Sequence, residues 1–286
     1  GPGDLFQDVA LQSDALPGDG KVASDAPACT PRPFVPPGQP EGWRHTKTKL
    51  LVVTQGPANH RAQDVVVAAG APQRIVGKFA YGPFDKDLEE EDVETFVQRD
   101  PPCGPWISLG VQLTSKDGQH GRRFGIEDDG GRIYLEIPAA QALPVGRYPM
   151  RSLVKGDHSV AAFSLTVVPP GTEAVVFDID GTLTTDDFEL ITQIFDQLAS
   201  GQYQPKAYAG GAAVVQAWAQ RGYLPVFITG RPDWLRRITV PWLAGQQFPR
   251  GPLHLTDKNG HALPTSSGVG AYKTAFLNTL KVQGIS

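Results

Sequence analysis

The chain has 286 residues, of which 40% are hydrophobic and 20% charged, and a formal net charge of −4. This length allows one large or two modest domains. Interspersed acids and bases give no nucleic-acid footprint, and no apolar run approaches the roughly 18 residues of a membrane span.

The chain opens on Gly1, and its only methionine is Met150, so it does not begin at a translation start. Gly1-Pro2 fits either the scar of a cleaved tag or the removal of a signal or lipoprotein leader. Residues 1–44 are rich in Pro, Gly, Ala and Asp and are expected to form an extended tether without packed structure. Such a tether suits an exported or envelope-attached protein, and a cytoplasmic protein with a loose tail equally well. Cys29 and Cys103 fit no metal spacing and are read as a disulfide or as two thiols.

Residues 45–169 read as short strands separated by turns. Leu50–Val53, Asp64–Val67, Arg74–Phe79, Val93–Val97, Trp106–Leu113, Arg132–Ile137, Tyr148–Val154 and Val160–Val168 are the expected strands. Lys116-Asp117-Gly118 and Asp128-Asp129-Gly130-Gly131 punctuate them. About eight strands of this kind predict an antiparallel β-sandwich of immunoglobulin type. No nucleophile–base pair or metal cluster stands out there, so the region is expected to pack and present its neighbour. A lipid- or partner-binding surface is the alternative.

From residue 170 to 286 strands and helices alternate. Strands are expected at Glu173–Asp178 and Leu224–Thr229, and helices at Phe188–Leu198, Ala212–Gln220, Asp233–Ala244 and Tyr272–Leu280. This order predicts a parallel, doubly wound α/β sheet. On the third helix Trp234, Leu235, Ile238 and Trp242 have the spacing of a core face. A membrane contact through Trp234, Leu235, Arg236, Arg237 and Trp242 is the second reading.

The chemistry concentrates in Val175-Val176-Phe177-Asp178-Ile179-Asp180-Gly181-Thr182. An apolar strand delivers two carboxylates to the C-terminal rim of the sheet, where open α/β folds bind ligands. Asp178 and Asp180 are therefore expected to converge on a magnesium ion. Asp178 would be the nucleophile, and Asp180 the general acid and base that protonates the leaving oxygen and then activates water. Helix capping would require only one Asx and leaves the second aspartate unexplained. The second strand ends in Thr229-Gly230-Arg231, a hydroxyl, backbone amides and a cation suited to phosphate oxygens. Lys273, expected in the first turn of the last helix, would hold the phosphate and offset repulsion between carboxylates and phosphoryl group. Gly268–Thr274 has the look of a phosphate-binding glycine loop, but Tyr272 stands where that motif requires glycine before the lysine. Thr182 to about Gly210 is too short for a full cap domain, leaving the site open to bulky substrates, including a headgroup at a membrane surface.

Phe177–Thr182 together with Thr229-Gly230-Arg231 resembles the haloacid dehalogenase superfamily, its lipin-like LNS2 branch above all. Upstream, Phe79–Asp85, Gly146–Pro149 and Val154–His158 resemble the carboxy-terminal region of retinal-degeneration-B-type phosphatidylinositol transfer proteins, where a strand-rich segment precedes the same LNS2 unit. The resemblance spans about Asn59 to the end. It implies phosphatidic acid as ligand. It further implies that in the transfer-protein members the LNS2 unit has lost the first aspartate and binds that lipid without cleaving it; this chain keeps both Asp178 and Asp180, which points toward catalysis. The resemblance also implies a fourth, acidic motif after a further strand, which would lie beyond Ser286. The expected function is thus a magnesium-dependent phosphatase acting on phosphatidate or a related lipid phosphate. A non-catalytic phosphatidate sensor and a soluble phosphomonoesterase are the alternatives.

Overall fold

The computed structural model describes residues 29–185, 205–257 and 266–286. The helix expected at Phe188–Leu198 lies outside them. The first unit runs through β1 (Arg61–Ala62), β2 (Val65–Ala68), β3 (Arg74–Lys78), β4 (Ala80–Tyr81), β5 (Lys86–Asp87) and β6 (Asp92–Gln98). It continues through β7 (Trp106–Leu113), β8 (Asp117–Arg123), β9 (Ile126–Asp129), β10 (Arg132–Glu136), β11 (Gly146–Val154) and β12 (Val160–Val168). One sheet has the order β2-β12-β11-β6-β7, the other β1-β3-β10, and β4-β5 and β8-β9 are separate hairpins.

Alternation builds the sandwich core. Tyr148 and Met150 of β11, and Phe163, Leu165 and Val167 of β12, point inward at every second residue and meet Ile75 and Leu135 of the facing sheet. Each such buried side chain contributes about 1.5–3 kcal/mol. The pairing is antiparallel except that β2 runs parallel to β12, from Val65 beside Leu165 to Ala68 beside Val168. The sandwich is therefore mixed where a purely antiparallel one was expected.

Two expectations fail here. Leu50–Val53 is not a strand: α1 (Thr48–Leu51) runs into a 3₁₀ turn at Val53–Gln55. Leu50 and Leu51 face solvent while Val52 and Val53 pack on the sandwich, a split that a strand's strict alternation cannot give. Nor do residues 29–44 float free. Cys29 is disulfide-bonded to Cys103, Phe34 packs against Phe96 and Trp106 with ring centroids 5.2 and 5.0 Å apart, and Trp43 meets Tyr81 edge-on. Residues 1–28 lie outside the described residues.

The second unit comprises β13 (Ala174–Asp178), α2 (Gly211–Gln220), β14 (Leu224–Pro232), α3 (Arg236–Gly245), β15 (Leu253–Thr256) and α4 (Ser266–Val282). Its strands form a parallel sheet in the order β13-β14-β15. Phe227 faces Phe177, Val215, Leu243 and Phe248 on one side of the sheet. Val226 and Ile228 face Tyr272, Phe276 and Leu280 of α4 on the other. Burial on both faces is why β14 reads as an unbroken apolar run. Val66 and Val168 of the sandwich join the second cluster, so the two units share an apolar seam.

Candidate functional site

β13 ends at Asp178, and the chain turns at once. Ile179 is fully buried, its N–H donates to the Ile228 carbonyl, and its own carbonyl accepts from the N–H groups of Leu183 and Thr184. Gly181 takes φ of +71°, a conformation that costs a side-chain-bearing residue about 1 kcal/mol and glycine nothing. This turn sends Asp178 and Asp180 to different partners.

Lys273 Nζ donates to Asp178 Oδ2 at 2.6 Å. Both side chains are partly exposed, at 27% and 32%. The other oxygen, Asp178 Oδ1, is buried without a hydrogen-bond partner. Burial, and secondarily the charge of Asp180, pushes the Asp178 carboxyl above the usual carboxylate range, although Lys273 pulls it down. Lys273 lies in the second turn of α4, since that helix starts at Ser266, earlier than its apolar spacing suggests.

Asp180 is held on every side. Arg231 Nε and Nη2 donate to Oδ1 at 2.9 and 2.6 Å, Nε also reaches Oδ2 at 3.1 Å, and Thr229 Oγ1 donates to Oδ2 at 2.6 Å. Thr229 and Arg231 are buried, and the Thr229 hydroxyl also accepts from the Arg231 N–H at 3.0 Å. Arg231 Nη1 donates to Thr239 Oγ1 of α3. Arg231 and Thr229, expected to hold phosphate, thus face inward and fix Asp180. Gly230 packs close to Val269, where a Cβ would come within 3.2 Å of Cγ1.

The expected convergence of both carboxylates on one cation is not what forms. An ion would be offered one free oxygen, Asp178 Oδ1, because the Asp180 oxygens are already saturated by a guanidinium and a hydroxyl. Among the described residues no group of three His, Cys, Asp or Glu side chains could complete a metal shell. Magnesium takes one or two protein carboxylates and completes its octahedron with water and substrate phosphate, so it would be held here by Asp178 alone unless Arg231 released Asp180.

The matching family models are "PITM 1-3, beta-sandwich domain" over residues 58–167 and "PITM 1-3, LNS2 domain" over residues 175–285. The chain carries the beta-sandwich and LNS2 domains of the PITM 1-3 proteins. It is 38% identical over 248 residues to protein retinal degeneration B of Drosophila melanogaster, covering 85% of this chain and 17% of that protein. Over 224 residues it is 38% identical to membrane-associated phosphatidylinositol transfer protein 1 of Rattus norvegicus, covering 77% of this chain and 16% of the relative. Against membrane-associated phosphatidylinositol transfer protein 3 of Homo sapiens the figures are 36% over 230 residues, 79% and 21%. The chain thus spans about a fifth or less of these relatives' lengths.

Around the LNS2 site of this PITM-type chain lies a layer of ion pairs with no local sequence signal. Asp233, two residues past Arg231, accepts from Arg61 Nε at 2.7 Å, and the rest of that guanidinium grips Asp85 at 2.7 and 2.6 Å. Burial opposes the charge on Arg61, and Asp233 and Asp85 outweigh it, raising its pKa. Asp64 accepts from Ser164 N–H, Leu253 N–H and Arg236 Nη2. Arg236 is thereby tied to the sandwich, and Leu235 is buried, which removes both from the membrane contact weighed above. The Gln63 amide pairs with both the N–H and the C=O of Leu255, as a neighbouring strand would.

A second polar cluster, in the sandwich, brings His60, Ser159 and Asp157 together without making a hydrolase triad. His60 Nδ1 accepts from the Ala80 N–H, so the neutral ring carries its proton on Nε2 and donates it to Ser159 Oγ; that hydroxyl then donates to Asp157. Burial lowers the His60 pKa to about 4. The imidazole gives a proton where a general base would take one.

Proposed function

We propose that the LNS2 unit recognises a lipid phosphomonoester, with phosphatidic acid as the ligand class, and captures it without turnover. The saturation of Asp180 by Arg231 and Thr229 carries this reading. A phosphatase needs an acid–base oxygen free to face the ester, and neither carboxylate offers a free, exposed oxygen here. The two carboxylates are matched by two cations, so a phosphate approaching Lys273 meets a neutralised cluster. Lys273, on the half-open rim, is the group placed to hold it. Similarity to relatives named membrane-associated phosphatidylinositol transfer proteins supports a lipid as the source of that phosphate.

Hydrolysis is the second reading, favoured by the unpartnered Asp178 Oδ1. In that case Asp178 would attack phosphorus as the ester oxygen left with a proton from Asp180, which Arg231 would first have to release, and water would then break the aspartyl-phosphate; magnesium, when bound, would supply charge neutralisation. Sedimentation with phosphatidate-containing vesicles, run beside a phosphate-release assay with and without magnesium, separates the two. Capture predicts binding that Lys273→Ala weakens at least tenfold and no phosphate release. Magnesium-dependent release abolished by Asp178→Asn would replace capture by hydrolysis. Equal competition by glycerol phosphate would point to a soluble ester.

A further inference from the structure

Phe84 is 92% exposed at the tip of the β4-β5 hairpin, yet its backbone is tightly held. The Asp85 carboxylate on one side is gripped by Arg61 and by Asn59 Nδ2, and the Gly82 N–H on the other donates to the Pro57 carbonyl. Gly82 lies so close to Gln55 that a Cβ there would come within 2.4 Å of the Gln55 oxygen. That contact fixes the 3₁₀ turn, and with it α1, beside the hairpin. The Gln55 side chain donates back to the Leu51 carbonyl, one turn earlier. Leu50 and Leu51, 69% and 54% exposed, lie on the helix that leads into this turn. Lys47, Lys49 and Lys86, exposed as well, flank these residues along the chain, while the neighbouring acids Asp85 and Asp87 are engaged by Arg61 and Lys78.

We propose that this edge, Phe84 with Leu50 and Leu51 inside a rim of Lys47, Lys49 and Lys86, docks on an anionic lipid bilayer. Large apolar side chains in water gain by entering the acyl boundary, and lysines around them are attracted to anionic headgroups. A tip braced by a bidentate ion pair does so with little loss of conformational freedom. The edge is also placed to serve the lipid-phosphate site: Arg61 joins Asp85 of the hairpin to Asp233, two residues from the arginine that clamps Asp180. The inference rests on the lipid reading above but has its own test.

Phosphatidylcholine vesicles with and without phosphatidylserine, and free of phosphatidic acid, isolate docking from headgroup capture. The full chain is expected to sediment with the serine-lipid vesicles, less so as salt is raised. Phe84→Ser and the double variant Leu50→Ser, Leu51→Ser should each weaken this about tenfold. Val282→Ser, at an apolar residue 88% exposed at the end of α4, should bind those vesicles as wild type does. All the serine substitutions are at exposed positions, and an unchanged thermal midpoint confirms the fold. Docking is overturned if wild-type chain stays in the supernatant, which would assign the patch to a protein partner, if neutral and anionic vesicles bind equally, or if Phe84→Ser sediments unaltered. If Phe84→Ser loses binding but phosphatidic acid adds nothing, docking stands and the phosphate reading falls.

Discussion

Asp178 and Asp180 differ by two positions and have opposite energetic standing. Asp180 is the counter-ion of Arg231, whose side chain is 1% exposed. Removing the guanidinium strands a carboxylate in the protein interior, which costs about 3–5 kcal/mol. Arg231→Ala should lower the unfolding free energy measured in urea by that amount, whatever ligand is present. Asp178 is the reverse case. Its carboxyl is raised above the ordinary range by burial, so the unfolded chain holds fewer protons on it than the folded one. The stability it contributes is fully present below the ordinary aspartate pKa of about 3.9 and is lost as pH rises through the higher folded value. Asp178→Asn should therefore equal or exceed wild type in urea stability at pH 7, the difference vanishing below about pH 4. A large loss at pH 7 would mean that Asp178 is structural. That an apolar strand ends at Asp178 was legible in the sequence because such a pattern is local. The role of Arg231 was not, because whether a guanidinium points to solvent or to a carboxylate depends on α3 and its Thr239 closing over it.

At the scale of elements, the short stretch from β1 to the start of β2 ties the sandwich to the LNS2 sheet. Arg61, Gln63 and Asp64 each send a side chain across: to Asp233, to the backbone of β15, and to Arg236 with the Leu253 N–H. Asp233 follows the site strand directly, so the sandwich braces the arginine that fixes Asp180. Arg61→Ala should cost about 3–5 kcal/mol, since Asp233 and Asp85 lose their shared cation. It should also weaken phosphatidate binding even though Arg61 touches no ligand. Arg61→Lys, which keeps the charge but cannot bridge two carboxylates with a planar fork, should recover only part of either effect. Amide exchange in β14 and β15 reports the mechanism: faster exchange there, with β11 and β6 unchanged, is the expected signature. These couplings could not be read from the chain. Arg61 and Asp233 are 172 residues apart, and ion pairs carry no periodicity. The strands themselves were legible wherever burial imposed alternation or an unbroken apolar run, as in β11 and β14. Legibility failed at Leu50–Val53, where four apolar residues divide between solvent and core.

At the scale of the whole molecule, the order of units could be read from the change from turn-punctuated strands to alternating strands and helices. The fate of the amino-terminal stretch could not. Proline and glycine signal a loose chain, and nothing local announces that Arg32, Phe34 and Trp43 find seats on the sandwich. Phe34 lies between Phe96 and Trp106, the Arg32 carbonyl accepts from Trp106 Nε1 and Gln98 Nε2, and Glu41 N–H donates to the Lys155 carbonyl. The Cys29–Cys103 bond locks this strap across a sequence separation of 74. A loop of that size restricts the unfolded chain enough to stabilise the fold by about 2–4 kcal/mol. The double variant Cys29→Ser, Cys103→Ser should lower the urea midpoint accordingly. Added reductant should bring wild type to the same value while leaving the variant unmoved. The loss should be confined to stability: Lys273 and Asp178 are held by α4 and β13, whereas Arg32 and Phe34 of the strap seat on the sandwich. Vesicle binding measured well below the unfolding midpoint should then be unchanged, and a parallel fall in binding would show that the strap reaches the lipid site after all.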